Sequence, residues 1–403
     1  MATGVKRTQV IVAGAGPVGG VAAFRLAEMG IDVILLESGP TCALDLRAST
    51  FHPPTLEMME ELGLVTEMIA RGLKAPVYQY RNRRTGEHID FDLSELVDLT
   101  PHPYRLQCEQ WKLAEMCAGR VADHPHGETL FSHRVVAFEQ DAAGVTVWSE
   151  TPYAIEELRC DYLIACDGGN SIIRKWLNVE FEGFTYPERF LCLSTDYPIE
   201  SHLPGLAYVN YVADPQEWQV LLKTPSVWRV LVPVGEADCD AELKSDAKKT
   251  AVFDGLIGDG AAIETDHRTI YRVHQRVAKT WTHGRVMLAG DAAHLNNPLG
   301  GLGMNSGIHD VWNLTDKLRA ILKEGADADA LLARYERQRR TICTEFVQAQ
   351  TIRNKKAMED RSPDAQARHQ AELSAIAADA DRRRDYLLTQ SMYRSREREE
   401  AVA

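Results

Sequence analysis

Short apolar runs and amphipathic stretches alternate along the first seventy or so residues. Thr8–Ala13 (TQVIVA) is apolar and β-branched without alternation, the pattern of a strand buried on both faces. Gly14–Gly19 breaks it. Over Pro17–Met29, residues Val18, Val21, Ala22, Leu26 and Met29 fall on one side of a helix that Gly30 ends. Ile31–Glu37 is a second buried strand, so strand, tight turn, helix and strand form one βαβ unit within about 30 residues. Thr55–Ala70 predicts one further helix, entered through Pro53-Pro54.

From Val77 to Tyr104 the pattern changes to short strands (Val77–Tyr80, His88–Phe91) among polar turns. Helix returns at Glu109–Val121. Arg134–Glu139 and Val145–Ser149 alternate around a turn and read as a hairpin. Leu158–Ala165 is again a buried strand. Residues 184–275 carry alternating strands (Phe190–Thr195, Ala207–Val212, Gln219–Lys223, Trp228–Val234, Arg268–Val273), the text of an antiparallel sheet. Arg285–Ala289 returns to the first pattern, Gly301–Glu324 is a helix opened by glycines, and 327–403 is charged and helical, its last stretch polar enough to predict a partly mobile end. The fold class is α/β: a Rossmann-like dinucleotide-binding domain (1–76, 105–183 and 280–345), an inserted antiparallel-sheet substrate domain (77–104 and 184–279) and a C-terminal helical region (346–403).

Charge and composition narrow this little. The 403 residues hold 45 Lys+Arg against 58 Asp+Glu, a net −13, which argues against nucleic acid as a partner. Basic runs such as Arg81–Arg84 are short and have acids nearby, so they read as solvated faces. The cysteines at 42, 108, 117, 160, 166, 192, 239 and 343 lack C-x-x-C or metal-ligand spacing and are expected to be reduced and mostly buried, with no metal. No signal peptide and no apolar run of about 18 residues is visible, so no membrane span and a cytoplasmic location are expected.

Three motifs carry chemistry. In Gly14-Ala15-Gly16-Pro17-Val18-Gly19, the glycines allow the tight turn, the approach of a pyrophosphate and close helix–strand packing, with the phosphate on the helix N-terminus. Glu37 closes the second strand where an acid bonds a ribose 2′-hydroxyl, which favours FAD or NAD over NADP. Asp167-Gly168, followed by Ser171 and Arg174, and Gly290-Asp291 both follow buried strands, where open α/β sheets bind ligands. Beyond the latter lie Ala292-Ala293-His294, Pro298 and the run Gly300–Asn305, a helix start that offers N–H donors to an electron-rich ring edge.

In this order, with Arg47, Asp310 and Asn313-Leu314, the motifs resemble the flavoprotein aromatic hydroxylases of the p-hydroxybenzoate hydroxylase family over residues 8–345. The resemblance implies FAD as cofactor, with Gly14, Gly16, Pro17 and Gly19 at the pyrophosphate and Glu37 at the adenosine ribose. It also places Arg47 at the phosphates, Gln107 near the ribityl chain and Asp291 on the ribityl hydroxyls. Asp167 would serve FAD and the nicotinamide cofactor, and Gly301, Leu302, Gly303, Met304 and Asn305 would lie by the flavin ring. Leu302 departs from the Gln often found there, and Asp316 from a Trp.

The implied reaction is NADH- or NADPH-driven monooxygenation: O₂ adds at flavin C4a and the terminal hydroperoxide oxygen passes to a phenolic or pyridinol-type ring. Stabilising an anionic reduced flavin suits the Gly300–Gly303 helix start, and the carbonyl of Pro298 is free to accept a bond beside the flavin. Excluding water suits an apolar pocket floored by the strand domain with Trp218, Trp228, Tyr208 and Tyr211. Candidate bases or acceptors are Tyr211, His52, Tyr208, Tyr104 and His294, each more commonly a packed aromatic or a satisfied histidine. Arg229 and Lys223 suit a substrate carboxylate, although surface ion pairs are the commoner role. Small aromatic substrate and O₂ are the expected partners, and a homodimer is compatible. Rival readings are a decarboxylating or ring-cleaving monooxygenase, an oxidase, and a non-catalytic dinucleotide-binding protein. A halogenase is disfavoured because Trp228-Arg229-Val230 does not match its W-x-W-x-I-P segment.

Overall fold

The computed structural model describes residues 5–44, 48–360 and 362–403. Arg47, expected at the FAD phosphates, lies outside the described residues. Among these residues the strands form two eight-stranded sheets and one of three strands.

The apolar runs of the N-terminal half build the first sheet. Val286–Leu288, Ile155–Ala165, Lys6–Ala13, Val33–Leu36 and Gly127–Leu130 lie side by side and parallel, with Val10 opposite both Tyr162 and Val33. Val10, Ile11 and Val12 are fully buried, as a strand covered on both faces requires. The Arg134–Asp141 and Gly144–Glu150 hairpin extends this sheet antiparallel to Ile155–Ala165. The register sets the C-terminal ends of the parallel strands along one edge. Gly14, Glu37, Asp167 and Asp291 all emerge there.

The second sheet runs His294–Leu295, His267–Ala278, Phe181–Thr195, Trp228–Val234, Gln219–Lys223, Val209–Ala213, Val77–Asn82, His88–Asp92. Val77–Asn82 joins it parallel to Val209–Ala213. Alternation sorts its faces: Leu191, Leu193, Val230 and Val232 pack under the Asp246–Ile257 helix, while Phe190, Cys192 and Leu231 face the other way. The three-stranded sheet of Thr50–Phe51, Arg105–Gln107 and Leu73–Ala75 bridges the two large ones.

Several elements differ from expectation. The helix expected over Thr55–Ala70 is two, Pro53–Glu61 and Val65–Ala70, because Gly63 adopts φ +68° and ends the first. Asp246–Ile257 is a helix within the strand-rich region. The C-terminal stretch, expected to be partly mobile, forms the helix Tyr393–Ala401, which docks through Glu399 on Arg339 and Asn313. The eight cysteines are free thiols and all but Cys239 are at least partly buried. No helix among the described residues is long and apolar enough to cross a membrane.

Candidate active site

A cavity of about 1050 Å³ runs from the C-terminal edge of the first sheet to the open face of the second. Small-molecule sites span roughly 300–1,000 Å³, so this one has room for a large ligand or for two together.

Its first wall is the Gly14–Gly19 turn. Gly14 has φ +102°, and a side chain there would strike the Cys166 carbonyl at 2.4 Å. A Cβ at Gly19 would lie 1.9 Å from the Gly14 oxygen, so helix and strand touch there. At Gly16 a Cβ would meet nothing within 4 Å, because it would point into the cavity. The helix behind it begins at Pro17 with no side-chain cap, leaving its first N–H groups for a ligand. Glu37 grips this turn: its carboxylate accepts from the Ala15 N–H at 2.9 Å and the Gly39 N–H at 2.8 Å, and it borders the cavity.

Asp167 caps the next helix by accepting from the N–H groups of Ile172 and Ile173 through Oδ2. Its Oδ1 is buried without a partner, and burial raises its pKa. Asp291 reaches the cavity from the Gly290–Ala292 turn. Behind that turn sits a buried charge network. The Gly290 N–H and His294 Nε2 both donate to Asp310 Oδ2, at 3.2 and 2.8 Å, and Arg339 Nε donates to Asp310 Oδ1 at 2.8 Å. Burial opposes the charge on His294, but Cys343 and Asp310 more than offset it and hold its pKa well above the usual value. His294 stacks on Trp281 and serves this network; it does not reach the cavity.

The second wall is Pro298–Met304. Gly300 and Gly301 take φ +101° and +68°, which bends the chain so that the Leu302–Glu324 helix starts at the cavity. A Cβ at Gly303 would meet nothing, another open approach. Pro298 lines the cavity, and its carbonyl accepts the Gly301 N–H at 3.1 Å. The Leu302 side chain turns away into a cluster with Ile342, Val347 and Met392. Asn305 does not line the cavity. Its amide accepts from the His52 N–H and donates to the carbonyls of Thr50 and Gly301, which clasps the glycine turn.

Several residues expected at the chemistry lie elsewhere. His52 is fully buried with Nε2 on the Gly300 carbonyl at 2.9 Å; burial, then Arg105, pushes its pKa down to about 3, so it is a neutral scaffold histidine. Gln107 accepts from Thr50 Oγ1 at 3.1 Å below the cavity wall, its Nε2 unpartnered. Tyr104 bonds His102 Nδ1 at 2.9 Å, and Tyr208 is 39% exposed; neither lines the cavity. Lys223 sits over Trp228 near Glu200, on the surface side. Arg229, read as a surface residue, is 2% exposed and lies against Ser49 Oγ and Cys192 Sγ. Trp218 and Trp228 pack inside the sheet and do not form the floor.

The floor is instead Val209, Tyr211, Val220, Leu222, Leu231 and Val273, side chains from one face of the second sheet. Of the expected substrate residues only Tyr211 is among them, 5% exposed and stacked on Tyr80 at 5.0 Å. Arg105 lines the cavity beside it and was not anticipated; its place on the same strand face as Gln107 was the available signal.

Comparison with known proteins agrees with this geometry. Residues 7–350 match the family model described as FAD binding domain. Para-nitrophenol 4-monooxygenase of Pseudomonas sp. (strain WBC-3) is 32% identical over 384 residues, covering 94% of both chains. The 6-hydroxy-3-succinoylpyridine 3-monooxygenase HspB of Pseudomonas putida (strain DSM 28022 / S16) is 31% identical, covering 94% of this chain and 97% of its own. The crystal structure of p-nitrophenol 4-monooxygenase PnpA from Pseudomonas putida DLL-E4 superposes with a TM-score of 0.90 at 31% identity, over 96% of this chain and 99% of that one. The chain belongs to the FAD-dependent aromatic monooxygenases of the p-hydroxybenzoate hydroxylase type. It is an enzyme that uses FAD, with NADH or NADPH as reductant.

Proposed function

We propose that the cavity takes FAD along the first-sheet wall and a small phenol- or pyridinol-type ring over the floor of the second sheet, which the enzyme hydroxylates. The supporting observation is the continuity of the space: one cavity joins Gly16 and Glu37 to Gly303 and onward to Tyr211 and Leu231. The residues fit the cofactor. Gly16 and Gly303 leave open approaches, and Asp167 keeps an unpartnered buried oxygen.

When bound, FAD supplies the electron transfer and oxygen activation. Gly14, Gly16, Pro17 and Gly19 would hold the pyrophosphate through the helix N–H groups, Glu37 the adenosine ribose, and Asp291 the ribityl hydroxyls. The N-terminus of the Leu302–Glu324 helix opens on the cavity, where its N–H groups and positive dipole end would favour the negative charge of a bound reduced flavin. The apolar floor keeps water from the reacting ring, and Tyr211 is the polar group there that meets the substrate. Residues 77–104 and 184–279 act as the substrate half. The substrates for which the two relatives are named, a nitrophenol and a hydroxypyridine, fall in this class.

Purified protein should be yellow, and a panel of phenols and pyridinols should contain members that stimulate NAD(P)H oxidation and gain one oxygen. Colourless protein that takes up no FAD, or a panel with no stimulation, contradicts the reading.

A further inference from the structure

Arg105 stands where the bridging three-stranded sheet meets the floor of the cavity. It is 1% exposed, yet it lines that space. Among the described residues its Nε and Nη1 have no hydrogen-bond partner, and the groups that act most strongly on its charge are tyrosines, not carboxylates. Its neighbours are neutral. The guanidinium carbon lies 4.1 Å over the Tyr78 ring, and the hydroxyls of Tyr211, Tyr78 and Tyr80 are what favour its charge. Tyr386 donates to Tyr80 at 3.2 Å and is in turn within reach of the field of Arg105. On the other side the charge acts on His52, which stays neutral.

A guanidinium does not lose its proton, so this is a permanent buried cation. Taking such a charge out of water is costly unless an anion and hydrogen bonds compensate it. A single ring face and phenol hydroxyls compensate only part. Arg339, another fully buried arginine, has two carboxylates, Asp310 and Glu399. Arg105 has an open cavity where such a partner would be, and its flat fork of donors matches an oxyanion.

Resting on the reading of this cavity as a phenol site, we propose that Arg105 binds the substrate as a ring oxyanion. The enzyme therefore selects aromatics whose conjugate base places negative charge on a ring-borne oxygen (phenolates, nitrophenolates, pyridinolates). Loss of the phenolic proton to solvent on binding leaves the electron pair on the oxygen and enriches the ring for attack by an electrophilic oxygen. Tyr211, beside the guanidinium, orients the same oxygen.

The probe is 4-nitrophenol, whose anion and neutral form absorb differently and whose charge spreads to both ends, so either end facing Arg105 gives the same signal. FAD-loaded enzyme is titrated with it across pH, and the nitrophenolate band is read by difference spectroscopy. In the wild type the bound ligand should remain anionic to about one pH unit or more below its ionisation in free solution, meaning that the anion binds at least about tenfold tighter than the phenol. Arg105→Met should abolish that shift and weaken anion binding about 100-fold. Arg105→Lys should fall between, and 4-nitroanisole, which has no proton to lose, should bind wild type and Arg105→Met alike. If Arg105→Met does not retain FAD, the wild-type titration decides alone. A bound ligand that ionises as it does in solution overturns the role of Arg105 and leaves the phenol site standing. Wild-type enzyme that binds 4-nitrophenol in neither form overturns both.

Discussion

A methyl group added at Gly16 would meet nothing within 4 Å, whereas at Gly19 it would lie 1.9 Å from a backbone oxygen. Gly16 has φ −69° and ψ 178°, which valine tolerates. Gly16→Val should therefore fold with the thermal midpoint of the FAD-free wild type but bind FAD at least about 100-fold more weakly, because its side chain stands where the pyrophosphate approaches. Gly19→Val should instead fail to accumulate as folded protein, since backbone would have to move. Fluorescence titration with FAD and thermal melts separate the two. The buried histidines make a second expectation. His52 is held near 3 and His309 well below its usual value, chiefly by burial. Both take up protons on unfolding below about pH 6.5, the ordinary histidine value. Stability should thus fall as pH drops from there, by up to about 1.4 kcal/mol per unit for each. Denaturant unfolding from pH 6.5 to 4 should show a shallower slope for His309→Gln than for wild type; an unchanged slope contradicts it. His294 adds nothing in this window, because its folded pKa is raised and its contribution is lost only as pH rises. That Gly16, Glu37 and Asp291 border the cavity was legible, because a strand-to-helix turn at a sheet edge favours those residue types at those positions. Arg105 was not: the one signal, a strand face shared with Gln107, does not by itself distinguish a buried cation from a surface one.

Strands covered on both faces and the turn-then-helix units after them were legible from pattern, and they carry the C-terminal edge on which the proposed cofactor residues stand. The short strand Arg105–Gln107 was not, because three residues show no period and its partners lie at 50–51 and 73–75. The Asp246–Ile257 helix had readable ends: Ser245 accepts the Lys248 N–H at its start, and Gly258, φ +83°, closes it. The terminal helix was misread because charge density looks like solvation. Glu399 instead pairs with a guanidinium that has no exposed surface. Glu399→Ala leaves that charge half compensated and should lower unfolding free energy by about 3 kcal/mol. Because Asp310 links Arg339 to the Gly290 N–H, the same variant should release FAD faster in stopped-flow dilution. Unchanged stability and release would remove the terminal helix from any part in holding the cofactor edge.

The cavity is lined both by the C-terminal edge of the first sheet and by one face of the second, to which the long strands Phe181–Thr195 and His267–Ala278 belong. Its proposed cofactor wall is built from local motifs and its proposed substrate floor from side chains scattered over 209–273. That is why the first could be read from the chain, while the tryptophans, Tyr104 and Tyr208 were placed wrongly. Hydroxylation requires both halves to act on one ring. The most direct test supplies holoenzyme with NADH or NADPH, a stimulating phenol and oxygen-18 gas, and weighs the product. One oxygen-18 atom in the ring product is the expected result; reductant consumed with all the label in hydrogen peroxide or water, and an unchanged phenol, would contradict it.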